Sequence, residues 1–196
     1  MAVDIIGLAG VAGAGKDTFF DLLSKEVNCQ RYALADELKR EVNEWTKKSY
    51  GINALTCSRL EKEIIRPFLV FHGVMRRTQT EGRYWIEKLE KELDNRNHRI
   101  PMIQVITDIR FSEYEKDEVH WLKEELGGKL IHISMYTRDE NKKVQFKEPA
   151  NEYEQKNDQI LRESADWFIE WPEISPFEPE NLKEHITDCI DFIKNE

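Results

Sequence analysis

Ile5-Ile6-Gly7-Leu8-Ala9 runs directly into Gly10-Val11-Ala12-Gly13-Ala14-Gly15-Lys16-Asp17-Thr18, and this stretch decides how the rest of the chain is read. An apolar run that breaks into a glycine-rich turn predicts a short buried strand and a tight loop. Phe19, Phe20, Leu22 and Leu23 then mark the apolar positions of a helix starting near Asp17. Strand, loop and helix in this order suit a phosphate-binding cradle. Gly10, Gly13 and Gly15 can take φ > 0 and turn backbone N–H groups onto an anion, and the helix N-terminus adds further N–H groups and the positive end of its dipole. Lys16 places one mobile positive charge among the outer phosphates. The candidate nucleotide-binding residues are therefore Gly10, Gly13, Ala14, Gly15, Lys16, Asp17 and Thr18. The spacing satisfies G-x-x-x-x-G-K and departs from the usual Ser or Thr at Asp17. The plainer alternative is a glycine-rich strand-to-helix turn of another α/β protein.

The 196 residues around this stretch, 34% charged and 40% hydrophobic, describe one globular domain with a substantial core and room for a small mobile insertion. No apolar stretch is long enough to cross a membrane. Asp4 interrupts the start, where a signal peptide would carry a basic leader and a hydrophobic run, so a cytoplasmic location is expected. Cys29, Cys57 and Cys189 are widely spaced, odd in number and free of C-x-x-C pairing, which reads as reduced thiols. The net charge of -9 weighs against gripping a nucleic-acid backbone. It allows a small phosphorylated substrate held by a few local arginines.

Downstream, Gln30–Ala35 predicts a second strand with Asp36 at its end. Asp36 is either the N-cap of the next helix or a group at the mouth of the site, because ligands of open α/β sheets bind beyond the carboxyl ends of the strands. Gly51–Cys57 reads as a loop, Ser58 as a helix cap, and Pro67 as a kink or a new helix start. If the stretch is one helix, Arg66, Gly73 and Arg77 fall within about 20° of one stripe, and the bare glycine leaves room for a ligand. The alternative has these arginines solvated or placed at a helix C-terminus. Tyr84-Trp85-Ile86 opens a helix running to about Asn95, and His98 and Pro101 mark a loop. Trp85 reads as core ahead of a base-stacking platform.

Pro101–Thr107 is a β-branched strand closed by Asp108-Ile109-Arg110-Phe111. A carboxylate at such a strand end is placed to reach a metal ion, and Arg110 to reach a phosphate; the plainer reading of Asp108 is a turn-initiating residue. Ser112–Leu126 predicts an amphipathic helix and Lys129–Met135 a strand in which His132 fills an alternating position. Tyr136–Asn157 turns polar, first with Arg138, Lys142, Lys143 and Lys147, then with Glu148, Glu152 and Glu154. Such a segment is either a water-excluding lid or a solvated excursion. Asp166–Trp171 is a fifth strand, and Pro172, Pro176 and Pro179 lead to a closing helix over Glu180–Lys194. Five strands separated by helices predict a parallel sheet covered on both faces, a three-layer α/β/α arrangement.

Several of these pieces together resemble the phage deoxynucleoside monophosphate kinases, a branch of the P-loop kinases related in fold to adenylate kinase. They are the G-K-D-T end of the loop, Ala33-Leu34-Ala35-Asp36-Glu37-Leu38-Lys39, Arg76-Arg77 followed by Tyr84-Trp85-Ile86, and Thr107-Asp108-Ile109-Arg110-Phe111, which is similar to that family's T-D-V-R-F. The resemblance spans residues 5 to 111 and thins beyond to Arg138 and Ala165-Asp166-Trp167. It implies a P-loop NTPase fold with a five-stranded parallel sheet, ATP and Mg²⁺ as cofactors, and transfer of the γ-phosphoryl group to a nucleoside monophosphate. Lys16, Asp17 and Arg138 would be catalytic, with Asp17 and Asp108 toward the metal. Asp36, Arg66, Arg76, Arg77, Trp85, Asp108 and Arg110 would face the acceptor. Acceptor binding would fall in about 36–97 and the lid in about 136–157, bearing Arg138, Lys142 and Lys143, all within one kinase domain. The location would be the host cytoplasm, and a second copy of the chain is left open as a partner. Glu37 stands where the family has Pro, and Phe71-His72-Gly73 replaces an aromatic-rich G-T segment; both departures lie on the acceptor side. Rival readings are a P-loop kinase for another small or modified-nucleotide acceptor, an acceptor-free ATPase, and a nucleotide-binding module without catalysis.

Overall fold

In the computed structural model, which describes residues 4–94, 101–140, 142–173 and 182–195, β1 (Ile5–Ala9) is buried along its whole length. An unbroken apolar run can only be accommodated by a strand covered on both faces. The chain divides into two units, Met1–Arg31 with His98–Glu196, and Tyr32–Asn97 between them.

The first unit is built on a mostly parallel sheet in the order β2 (Cys29–Tyr32), β3 (Ile103–Ile106), β1, β4 (Lys129–Arg138), β5 (Val144–Phe146), with β6 (Trp167–Pro172) pairing β4. β1 lies parallel to β3, with Ile6 opposite Val105, and to β4, with Leu8 opposite Ile131; β6 is parallel to β4, with Ile169 opposite Ile133. On one face α1 (Lys16–Glu26) and α7 (Lys183–Asn195) bury Phe19, Leu22, Leu23, Ile186 and Ile193 against Ile6, Leu8, Val105, Ile131, Ile133 and Trp171. On the other lie α5 (Glu118–His120), continuing as a π-helical turn through Trp121–Glu125, and α6 (Glu152–Ser164). This is the three-layer α/β/α arrangement expected. The three cysteines are free, and burial pushes the Cys189 thiol up to about 12. Among the described residues no helix is long and apolar enough to cross a membrane.

Three expectations are corrected in this unit. Among the described residues the sheet has six strands rather than five, because β4 runs on to Arg138 and pairs antiparallel with β5, Tyr136 opposite Phe146. This hairpin lies inside the polar lid segment, where exposed β5 carries no burial pattern to betray it. Helix α6 occupies the end of the same segment, capped by Asn151, whose side chain accepts from Glu154 N at 3.0 Å. The helix expected from Ser112 begins only at Glu118, since buried Asp117 accepts from the N–H groups of Glu113, Tyr114 and Glu118 and holds the preceding residues as a loop. Pro176 and Pro179 fall outside the described residues, as do Asn95 and His98.

The second unit consists of α2 (Leu34–Tyr50), α3 (Arg59–Gln79) and α4 (Arg83–Asp94), with Val42, Ile52, Ala54, Ile65 and Leu69 buried together. Ser58 caps α3 as expected, in a reciprocal capping box with Glu61. Pro67 neither breaks nor restarts the helix. Its ring deprives the Glu63 carbonyl of a donor, and both residues are exposed, so water can take that place. β2 stops at Tyr32 and α2 starts at Leu34 with Ala33 at its cap, so Asp36 is not the N-cap. It sits in the first turn and pairs with Lys39 Nζ at 2.7 Å.

Candidate functional site

Between β1 and α1 the chain adopts the strand–loop–helix geometry that the glycines predict. Gly10, Gly13 and Gly15 have φ of 128°, 76° and 93°. Gly15 is the N-cap of α1, and no side chain caps the helix there, which leaves first-turn N–H groups for a ligand. A Cβ on Gly10 would collide with the Ile133 carbonyl oxygen, and one on Gly15 with the Trp171 ring. Trp171, fully buried on β6, donates its Nε1–H to the Ala14 carbonyl at 2.9 Å and so pins the loop from beneath. In the string D-W-F-I-E-W it is one aromatic among others, and nothing there singles it out.

Lys16 turns back on its own loop, its Nζ donating to the carbonyls of Gly10 at 2.5 Å and Val11 at 3.0 Å. Burial, with Arg110 second, lowers its pKa to about 8 against the opposing pull of Glu154, Asp108 and Asp17. Below about pH 8 the loop holds a charged lysine; above it, an arriving anion must bring a proton with it. ATP affinity should therefore be flat below pH 8 and fall above it by at most about tenfold per pH unit, with up to one proton taken up on binding. Calorimetric titration in buffers of differing ionisation enthalpy measures both quantities.

Of the residues expected around Lys16, Asp108 is buried in the turn after β3, where Ile109 N donates to the Leu8 carbonyl and ties the turn to β1. Arg110 is exposed, and its backbone N–H is held by Glu118 Oε2 at 2.6 Å. Asp17 is open to solvent, its side chain 86% exposed, with Arg31 Nε at 3.9 Å. Thr18 is exposed. The lid cations are placed differently from one another. Arg138 lies over its own neighbour Tyr136, 5.6 Å from the ring centre, and Lys142 and Lys143 sit exposed in the hairpin turn. Lys147, from the same segment, stands beside the loop, its Nζ 2.8 Å from where a Gly13 Cβ would stand. Glu154 comes with it, Oε2 accepting from Ala12 N at 3.1 Å. His132 is buried and hydrogen-bonded through both ring nitrogens, to Asp158 at 3.1 Å and to Ser134 at 3.3 Å, as suits a strand position.

In the helical unit the acceptor candidates are organised by a residue that the sequence marks only as helix. Glu41 accepts from Tyr84 Oη at 2.6 Å and Arg76 Nε at 3.0 Å, and is paired with His72 Nε2 at 2.9 Å and Lys88 Nζ at 3.1 Å. Burial raises the Glu41 pKa, but the joint hydrogen bonds of Tyr84, His72, Lys88 and Arg76 outweigh it and hold the carboxyl at about 2. Arg76 also lies 4.7 Å from the centre of the Tyr84 ring. Arg66 is half-exposed and paired with Glu63 at 2.6 Å, whereas Arg77 is buried, so the common stripe does not give them a common environment. The Gly73 carbonyl accepts from Trp85 Nε1 at 3.2 Å, a Cβ placed on Gly73 would meet Leu38 at an ordinary 3.4 Å, and Trp85 is core.

No protein-family model matches the chain, and no curated protein does. Among solved structures it is similar to dephospho-CoA kinase from Campylobacter jejuni, at 13% identity over 98% of each chain and a TM-score of 0.49. It is also similar to shikimate kinase from Acinetobacter baumannii in complex with shikimate, at 18% identity over 96% of this chain and 93% of that one, with a TM-score of 0.45. Likeness at this level leaves function to be read from the chain's own residues.

Proposed function

We propose that the chain is an ATP-dependent phosphotransferase that passes the γ-phosphoryl group to a nucleoside or deoxynucleoside monophosphate, giving the diphosphate. The observation that carries the reading is Lys16, a lysine set among left-handed glycines and bonded, among the described residues, to loop carbonyls, its charge disfavoured by burial. A polyphosphate brings more acceptors and more negative charge than the two loop carbonyls and the carboxylates of Glu154, Asp108 and Asp17 offer this lysine.

The loop backbone from Gly13 to Thr18 would orient the β- and γ-phosphates, and Lys16 would follow the growing negative charge on the oxygens of the breaking bond. An oxygen of the acceptor phosphate attacks the γ-phosphorus as its bond to the β,γ-bridging oxygen breaks, and ADP leaves. No covalent intermediate is needed, because positioning and electrostatics are what this reaction asks of a protein. Arg110 adds positive charge next to Lys16. Asp17 and Asp108 are hard oxygen donors that both act electrostatically on Lys16, so they suit Mg²⁺, which when bound neutralises phosphate oxygens. Among the described residues no group of three or more His, Cys, Asp or Glu is placed to hold a metal, so the remaining ligands would be water and phosphate, as this ion prefers. Arg138, Lys142 and Lys143 would act from the hairpin as part of a water-excluding lid.

For the acceptor, the sequence resemblance supports a nucleoside monophosphate bound with Arg66, Arg76 and Asp36, while buried Arg77 and Trp85 would shape that region from beneath. One observation favours a second reading, a kinase for another small phosphorylated acceptor. His72, part of the Phe71-His72-Gly73 departure, is itself bonded to the carboxylate that holds Arg76. ATP consumption against each common ribo- and deoxyribonucleoside monophosphate separates the two. One or a few acceptors should raise ADP formation about 10³-fold over the acceptor-free rate, a modest share of what positioning can supply. Equal consumption with and without any acceptor would make the protein an ATPase.

A further inference from the structure

We propose that Glu154 is a built-in stand-in for phosphate, a carboxylate that occupies the mouth of the loop until a polyphosphate displaces it. The inference rests on the phosphate-binding reading of residues 10–18 and concerns the regulation of that site. Glu154 lies in the first turn of α6, and its Oε2 accepts from Ala150 N at 3.0 Å and from Ala12 N at 3.1 Å. The bond to Ala150 is local and serves the start of the helix. The bond to Ala12 spans 142 positions and caps nothing in α6; it gives an N–H of the loop, between Gly10 and Gly13, a negatively charged acceptor. A carboxylate and a phosphate offer such a donor the same thing, charge and lone pairs.

A second, independent contact belongs to the same stretch of chain. Lys147, anchored by its N–H to the Met135 carbonyl at 2.9 Å, brings its Nζ beside Gly13. The segment from Lys147 to Glu154 thus presents a cation and an anion to the loop, and the Glu154 charge is the strongest of the three carboxylates that favour protonated Lys16. An incoming phosphate at Ala12 meets like charge at hydrogen-bonding distance, so Glu154 must leave and α6 must give up its hold on the loop. Lys147 is then positioned to accompany the phosphate. The device sets a threshold. A ligand must displace a carboxylate that the fold itself holds in place, so a tripolyphosphate, which meets more of the loop's donors at once, does so more readily than inorganic phosphate.

The test is calorimetric titration of the full chain, with Mg²⁺ held constant, using ATP, inorganic tripolyphosphate and inorganic phosphate on wild type, Glu154→Gln, Glu154→Ala and Lys16→Ala. Glu154→Gln keeps an oxygen for Ala150 and Ala12 but no charge, and thermal melts check that each variant folds. Both Glu154 variants should bind ATP and tripolyphosphate about tenfold more tightly than wild type, and inorganic phosphate should become detectable. Unchanged or weaker polyphosphate binding in both folded variants, with wild-type binding still lost in Lys16→Ala, overturns the stand-in and leaves the loop reading intact. Absence of ATP and tripolyphosphate binding from every variant, wild type included, overturns the loop reading and this proposal with it.

Discussion

Lys16→Ala should reduce phosphoryl transfer about 10³-fold or more while leaving the protein folded, as loss of one preorganised charge at a developing oxyanion does elsewhere. The fold should survive because the loop does not depend on this side chain. Gly10 and Gly15 hold their left-handed conformations against Ile133 and Trp171, and Trp171 keeps its bond to Ala14. The thermal midpoint should stay level or rise, since a lysine whose pKa falls to about 8 on folding opposes the folded state wherever it is charged. Steady-state ADP release with the best acceptor, alongside a thermal melt, reads both. Retained transfer in a folded Lys16→Ala protein would refute the assignment.

Glu41→Ala should destabilise the helical unit by about 3 kcal/mol, because it strands Arg76, Lys88 and the Tyr84 hydroxyl around a vanished carboxylate. For a chain of this length that corresponds to a fall of about 6–12 °C in thermal midpoint. Glu41→Gln should cost less, since the amide still accepts from Tyr84. The difference from wild type depends on pH in a defined direction. A carboxyl held at about 2 when folded contributes stability that is fully present above its ordinary value of 4.5 and is lost as pH falls through about 2. Melts of wild type and Glu41→Gln should therefore converge toward pH 2, and a gap that stays constant from pH 7 to pH 2 would show that the network acts through packing alone.

How far the site could be read from the chain follows from how far apart its parts lie. The strand, the glycines and Lys16 are neighbours in sequence, and their types and spacing encode the geometry directly. φ > 0 at Gly10, Gly13 and Gly15 and the start of α1 follow from local sterics. The same holds for the Ser58 capping box, whose two partners stand three positions apart. Local rules misplace elements where a side chain from further along the chain intervenes. Asp117 reaches back to the Glu113 and Tyr114 N–H groups and delays a helix that the apolar pattern starts at Ser112. The β4–β5 hairpin escapes notice because pairing, not burial, defines β5. Glu41 looks like any surface helix glutamate until α3 and α4 bring four partners to it.

By itself the sequence determined that a glycine-rich cradle of backbone N–H groups stands between the first strand and the first helix, because steric freedom and donor supply are properties of residues ten to sixteen alone. Tertiary structure decided what surrounds that cradle. It places Trp171 beneath the loop from 157 positions away, with Lys147, just after β5, and Glu154, in the first turn of α6, at its rim. No local pattern can encode such contacts, since each exists only once the parallel strands have stacked side by side and carried their distant ends to one edge of the sheet.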